Sequence, residues 1–342
     1  MTDAPIASAI VLNYNGRGFV EESVRSLLEQ DLPGLEVLVV DNGSTDGSAD
    51  EIERTFAGRV RLLRSPRNLG FGAGNNLGIR EARGRHVILL NNDAAAAPSF
   101  ARELVAAAES DDSVGMVAAK VLEYARRNVL DTVGHLLYPD GLNRGRGRLE
   151  EDRGQYDAFR TTLFPSGAAA LYTRRMLDDI GLFDESFFLY GDDAELGLRG
   201  RVAGWGCALA PRAIAYHHYS RSAGAYSRLK AFYVERNRVL VLFRLFPVSL
   251  ILVSPAYTAV RLALQAWGAL TGRGAAGRLA ETTPMIQLAV IALRAYASAL
   301  RALPSILGER WRQRRRRRLR PPEFCRLLDE FRLRARDAAL KE

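Results

Sequence analysis

Short apolar runs and amphipathic stretches alternate along the first third of the chain. Ala9-Ile10-Val11-Leu12 reads as a buried strand, and Phe19, Val20, Val24, Leu27 and Leu28 then recur at helical spacing in a polar background. Leu35-Glu36-Val37-Leu38-Val39-Val40 is a second β-branched run. Residues 60–63 and 87–90 predict a third and a fourth strand, with helices over 73–82 and 99–108. Strands alternating with helices predict an α/β fold, a mostly parallel sheet flanked by helices. Ligands on such a sheet bind beyond the carboxyl ends of its strands. Four polar tips follow strands: Asn13-Tyr14-Asn15-Gly16, Asp41-Asn42-Gly43, Asn68-Leu69-Gly70 and Asn91-Asn92-Asp93. All four are expected at one edge.

Residues 123–162 are less regular and carry Gly and Arg around Gly141-Leu142-Asn143-Arg144-Gly145, which reads as a long excursion, a flap. Regularity returns over 167–172, with helices over 174–180 and 193–204 and a strand over 208–214. Beyond about residue 230 helices continue without strand signals. Residues 239–260 are apolar but interrupted by Arg244, Pro247 and Pro255, and 285–307 carry Arg294 and Arg301. Neither offers the roughly 18–20 uninterrupted apolar residues of a confident spanning helix. Phe324, Leu327, Leu328 and Phe331 form an apolar stripe on an Arg-rich helix, the pattern of a helix lying in a membrane surface. The division expected is an α/β domain over 1–230 and a helical, membrane-associated region over 231–342.

Composition changes this picture in one place. The 342 residues are 48% hydrophobic and 25% charged, enough for a large core plus an appendage. The formal charge of +9 is concentrated: Arg301, Arg310, Arg312, Arg314 to Arg318 and Arg320 face the single acid Glu309 within twenty residues. Without that segment the chain is near neutral. Such a run serves as a solvated tail, a nucleic-acid patch or an anchor to anionic lipid. Cys207 and Cys325 give neither a disulfide framework nor metal-ligand spacing, so a reducing compartment is expected. The first residues lack a basic segment, so no cleaved signal peptide is expected.

Candidate chemistry lies at five places. Asp93 ends an apolar strand and suits Mg²⁺ or Mn²⁺, which needs only one or two carboxylates when phosphates supply other oxygens. Asp41 would accept from a pyrimidine imide or a ribose hydroxyl, or simply cap its turn. Asp192, Asp193 and Glu195 follow Phe187-Phe188-Leu189-Tyr190 at a helix start. Three acids there exceed what the helix dipole asks for and suggest a general base behind an aromatic wall. His217 and His218 follow a strand-like run and add an imidazole to the set. Gly70-Phe71-Gly72-Ala73-Gly74-Asn75-Asn76 is a glycine-rich helix start, yet it does not match the dinucleotide fingerprint.

In order along residues 6–240, Val11-Leu12-Asn13-Tyr14-Asn15-Gly16, Val40-Asp41-Asn42-Gly43-Ser44, Asn68-Leu69-Gly70-Phe71, Leu89-Leu90-Asn91-Asn92-Asp93, Gly181-Leu182-Phe183-Asp184-Glu185, Gly191-Asp192-Asp193-Ala194-Glu195-Leu196, His217-His218 through Ser222 and Glu235-Arg236-Asn237-Arg238 resemble the family 2 inverting glycosyltransferases of GT-A fold, bacterial rhamnosyltransferase-type members in particular. The resemblance implies a nucleotide-sugar transferase in cell-surface polysaccharide synthesis, with rhamnose the favoured sugar. It implies a dTDP- or UDP-sugar donor, a glycan or lipid-linked acceptor, a Mg²⁺ or Mn²⁺ ion and no nucleic-acid partner. By position, Asn13, Tyr14 and Asp41 would line the nucleoside pocket with Asn68 near it, and Asn92 and Asp192 would touch substrate. Asp93 and His217 would hold the metal, and Asp193 would be the catalytic base. Asn91 stands where the metal motif usually opens with Asp, and Asp192 where Glu is usual. Two other readings remain: a nucleotidyltransferase of related fold, which would want an Arg- and Lys-bearing Gly-rich loop after the first strand, and a basic nucleic-acid-binding protein. The expected location is cytoplasmic, at the inner face of the cell membrane.

Overall fold

The computed structural model describes residues 4–218 and 227–341. They fall into two compact units, residues 1–135 with 145–222 and residues 136–144 with 223–342. The first unit runs β1 (Ala7–Asn13), α1 (Val20–Leu28), β2 (Leu35–Asp41), α2 (Ser48–Thr55), β3 (Arg61–Arg64), α3 (Phe71–Glu81), β4 (His86–Asn91), β5 (Ala94–Ala96), α4 (Phe100–Ala108), β6 (Val114–Glu123) and β7 (Leu130–Thr132). A short pair, β8 (His135–Leu137) and β9 (Asn143–Gly145), precedes β10 (Ala169–Thr173), α5 (Arg174–Ile180), α6 (Asp192–Val202) and β11 (Gly206–His217).

One nine-stranded sheet takes the order β3-β2-β1-β4-β10-β6-β11-β5, with β7 joined to β6. Strands β3, β2, β1 and β4 are mutually parallel, as are β6 and β11, while β10 and β5 run against their neighbours. Helices cover both faces, so central strands read as continuous apolar runs instead of alternating ones. Val11, Val39, Ile88, Leu90, Val117 and Leu171 share one core with Val20, Val24 and Leu27 of α1 and Phe100 of α4. The parallel register pairs Asn13 with Asp41 and Leu12 with Asn91, so the expected polar tips do line up at one edge.

The glycine-rich segment serves packing. A Cβ on Gly74 would lie 2.5 Å from Leu12 and one on Gly78 2.7 Å from Ile10, so only glycine lets α3 press onto β1. Gly70 opens α3 at φ +86°, where a Cβ would meet the Phe188 carbonyl oxygen at 2.3 Å.

This unit holds one strand that the sequence reading did not place and overturns one expectation. Strand β6 gave no clear sequence signal because Gly115, Ala118, Ala119 and Lys120 have little intrinsic strand preference. Tertiary pairing with β10, β11 and β7 decides it. The excursion over 123–162 is also no loose flap. Leu130, Asp131, Thr132 and Val133 are buried, and the Lys120 ammonium holds Asp152 at 2.9 Å and Asp157 at 2.6 Å.

The second unit contains α7 (Arg228–Leu245), α8 (Val248–Thr271), α9 (Gly274–Ala280), α10 (Met285–Gln313), α11 (Pro321–Glu330) and α12 (Ala335–Leu340). Pro247 separates α7 from α8, whereas α8 continues through Pro255 and α10 through Pro304. Buried Arg261 of α8 bonds Asp140 at 2.7 Å and Glu235 at 2.7 Å, and Arg238 bonds Glu235 at 2.8 Å. Arg310 donates to the carbonyls of Phe243 and Phe246, and Arg317 to that of Leu245, so two arginines of the basic run satisfy the C-terminal carbonyls of α7. Against the sequence expectation, helices α8 and α10 are long and apolar enough to cross a membrane by length and composition, and with only 11% of each apolar window buried neither is packed as a core helix.

Candidate active site

The strand-end loops of β1 and β2 are locked together by amides. The Asn13 side-chain N–H₂ lies within hydrogen-bonding distance of Asp41 Oδ1 (3.2 Å), Ser44 Oγ (3.2 Å) and Ser48 Oγ (2.9 Å), while its Oδ1 accepts from Asn92 (3.2 Å). Asn42 bridges to the third loop, donating to Asn68 Oδ1 at 3.0 Å and the Gly70 carbonyl at 3.1 Å. Asn13, Asp41 and Asn92 are buried, whereas Tyr14 is exposed. The geometry thus gives Asn13 and Asn92 a scaffolding task, with Tyr14 at the open edge.

Asp93 follows β4, and the register of β5 on β11 sets His217 opposite Ala94, one residue further on. His217 Nε2 lies 3.2 Å from Asp93 Oδ1, and its Nδ1 lies 2.8 Å from Asp131 Oδ2 on β7. Arg148 completes the row with a short contact to the other Asp131 oxygen. All four side chains are buried. Burial alone would lower the His217 imidazole, but the bonds to Asp131 and Asp93 outweigh it and push it up to about 10. His218 has a different place: its ring stacks on Tyr124 at 3.7 Å, and its backbone N–H donates to the Asp93 carbonyl. The adjoining stretch through Ser222 lies outside the described residues.

Helix α6 sorts its three acids. Glu195 is fully buried and clamped by Arg199, which also donates to the carbonyls of Ile180, Gly181 and Leu182, so it ties α6 to the end of α5. Asp192 is buried with Oδ1 lacking any hydrogen-bond partner. That burial, reinforced by the neighbouring Asp193 carboxylate, pushes its carboxyl up to about 8. Asp193 is half-buried, and its Oδ2 accepts from the Gly167 N–H at 3.0 Å. The next residue, Ala168, accepts from the Asn91 N–H at 2.9 Å. Asp193 and the Asp93 loop are therefore fixed to adjacent residues of the strand-end edge where β4 meets β10.

Sequence reading missed four groups here. Asp131 and Arg148 lie in the segment taken for a flap. His135 stacks on Phe164, and burial depresses its imidazole against the weaker pull of Asp193 and Asp131. The fully buried Tyr172 hydroxyl has no partner, and burial first, then Asp193, pushes it well above the ordinary tyrosine value. An acid inside the apolar run Leu130-Asp131-Thr132 was the one available signal.

Among the described residues no three His, Cys, Asp or Glu side chains form a ready-made metal cage. Mg²⁺ and Mn²⁺ bound with phosphates do not need one. A carboxylate and an imidazole facing each other, with a second carboxylate fixing the far ring nitrogen, suit such an ion.

The model of glycosyl transferase family 2 matches residues 8–181, half of the chain. An N-acetylglucosaminyl-diphospho-decaprenol L-rhamnosyltransferase of Mycobacterium tuberculosis is 28% identical over 251 residues, covering 66% of this chain and 79% of that protein. An uncharacterized protein of Sinorhizobium fredii is 32% identical over 240 residues, 66% of this chain and 26% of its own length. The chain spans between 26% and 36% of the first curated relatives it matches. Among solved structures, a mannosyltransferase of Pyrobaculum calidifontis in complex with GDP-Man and Mn²⁺ covers 91% of this chain and 87% of its own, with TM-score 0.53 and 20% identity. GalNAc-T7 with UDP, GalNAc and Mn²⁺ covers 77% of this chain and 51% of its own, with TM-score 0.57 and 15% identity. These likenesses carry the fold, the curled, mostly parallel sheet of GT-A glycosyltransferases. The chain belongs to glycosyl transferase family 2.

Proposed function

We propose that this protein is a glycosyltransferase that moves a sugar, rhamnose first among candidates, from a dTDP- or UDP-sugar to a hydroxyl of a glycan or lipid-linked acceptor, with inversion at the anomeric carbon. The observation that carries the reading is the common edge holding the Asp93–His217 pair and Asp193. The rhamnosyltransferase likeness at 28% identity supports the choice of sugar. Asp193 accepts the proton of the acceptor hydroxyl as that oxygen bonds the anomeric carbon, and the bond from that carbon to the phosphate oxygen breaks. Asp192 is the weaker candidate, because its buried carboxyl stays protonated up to about pH 8. Gly167 aims Asp193 by donating to one of its oxygens. Asp93 and His217 would hold Mg²⁺ or Mn²⁺, which would neutralise the charge of the departing nucleoside diphosphate. Tyr14 and Asp41, beside the amide-locked loops, are the proposed nucleoside contacts.

The second unit is proposed to lie on an anionic membrane surface at the cytoplasmic face. Leu252, Leu270, Ile286, Leu293 and Leu300 of α8 and α10 are exposed. Arg294 and Arg301, also exposed, lie beside Leu293 and Leu300. In a spanning helix each would cost roughly 2.5–3.5 kcal/mol near the bilayer centre, which favours the in-plane arrangement. A donor panel scored by nucleoside diphosphate release, with and without Mn²⁺ or Mg²⁺, tests the activity. Acceptor-dependent release from one dTDP- or UDP-sugar supports the reading, and no release from any donor removes it.

A further inference from the structure

We propose that Asp131, neutralised from behind by Arg148, is a positioning residue that fixes the His217 ring so that Nε2 faces Asp93, and that the metal site of the proposed transferase depends on it. This rests on the reading of Asp93 and His217 as metal ligands. Three strands make the arrangement. Strand β7 is hydrogen-bonded to β6 with Thr132 opposite Val121, and β6 is hydrogen-bonded to β11 with Glu123 opposite His217. Asp131 thus projects from a strand at one remove from the His217 strand, and its Oδ2 lies 2.8 Å from Nδ1. With Nδ1 held by the Asp131 carboxylate, only Nε2 is left to serve as a ligand, and its 3.2 Å separation from Asp93 Oδ1 shows that it faces Asp93, where a metal ion would take the place of its proton.

Arg148 explains how Asp131 can sit there. Asp93, Asp131, His217 and Arg148 are all more than nine-tenths buried. Two carboxylates around one imidazole leave a charge excess that a low-dielectric interior opposes, and the Arg148 guanidinium on the second Asp131 oxygen offsets it. The row Arg148–Asp131–His217–Asp93 alternates in charge along its whole length. The segment between β6 and β10, irregular in sequence, therefore has a function: it carries both supports of a ligand that lies far along the chain, 86 residues beyond Asp131.

The test uses the full chain and Mn²⁺ as probe, with UDP or dTDP present. Bound Mn²⁺ is read by electron paramagnetic resonance against the nucleotide alone. Asp131→Asn would strand Arg148 without its anion, so the informative variant is Asp131→Asn with Arg148→Gln, checked for folding by circular dichroism. Its Mn²⁺ affinity is expected to fall roughly 10- to 100-fold, with His217→Asn falling at least as far. In wild type, ¹H–¹⁵N spectra should show a hydrogen-bonded Nδ1–H of His217, identified by its loss in His217→Asn. Wild-type affinity in the double variant, with affinity lost in His217→Asn, overturns the role of Asp131 and leaves the metal reading standing. Unchanged Mn²⁺ binding in His217→Asn overturns the metal reading itself. If the double variant fails to fold, absence of the bonded Nδ1–H in wild type still overturns the proposal.

Discussion

Two buried charge clusters, one in each unit, invite comparison. In the helical unit Asp140, Glu235, Arg238 and Arg261 saturate one another, with Thr258 adding a hydroxyl to Asp140. Around Asp193 the neighbourhood is unfinished: Asp192 Oδ1, Tyr172 Oη and His135 Nδ1 are buried without hydrogen-bond partners. A closed cluster holds structure, since every charge already has its answer. An open one keeps polar groups in reserve at a strand-end edge, where substrates of α/β folds bind. Of the open cluster, His135 and Tyr172 fall within the residues of the family match, and Asp192 and Asp193 follow it on α6.

Breaking the closed cluster should have the largest effect on stability. Arg261→Met removes one of the two cations that Asp140 and Glu235 share, leaving Arg238 to face both acids, and should cost about 3–5 kcal/mol. A lowered thermal unfolding midpoint would register it, and an unchanged midpoint would show that the cluster is not closed in the sense argued. Next comes the exposed remainder of the basic run. Arg314, Arg315, Arg316 and Arg318 are exposed, whereas Arg310 and Arg317 are engaged at the end of α7. Replacing those four by Gln should weaken binding to vesicles containing phosphatidylserine by about fivefold for each Arg. Flotation assays check this, and raised salt should mimic the substitution in wild type.

The smallest expected effect belongs to Asp192 and has a definite sign. Its folded carboxyl is raised from 3.8 to about 8. The folded protein therefore holds a proton that the unfolded chain releases above about pH 4, and stability is lost as pH rises through about 8. Asp192→Asn cannot ionise, so its midpoint should gain on wild type steadily between pH 5 and 8. A gap that does not widen with pH would place Asp192 in a wetter setting than its burial indicates.

The same contrast shows what was legible in the sequence. Strands β1, β2 and β4 announced themselves because doubly covered parallel strands need continuous apolar runs, and their polar tips marked the edge. Strand β6 was hidden because alanine and glycine say little until neighbouring strands claim them. The three acids of α6 were visible as a cluster, but their sorting depended on burial, on the pairing of Arg199 with Glu195 one turn earlier in the same helix, and on Gly167, which lies elsewhere in the chain. Asp131 was hardest to see, since its meaning comes only from the pairing of β7, β6 and β11. The glycine-rich start of α3, which does not match the dinucleotide fingerprint, packs closely against Leu12 and Ile10. Of the basic run, charge alone could not separate the two arginines bonded to α7 from those left at the surface.

Asp193→Asn gives the most direct test of the account. The variant keeps the size of the side chain and loses its capacity to take a proton. Donor binding, measured by titration calorimetry with the active nucleotide sugar, should stay near wild type, while transfer falls by roughly 10²- to 10⁴-fold. Wild-type turnover in this variant would contradict the central claim that Asp193 activates the acceptor.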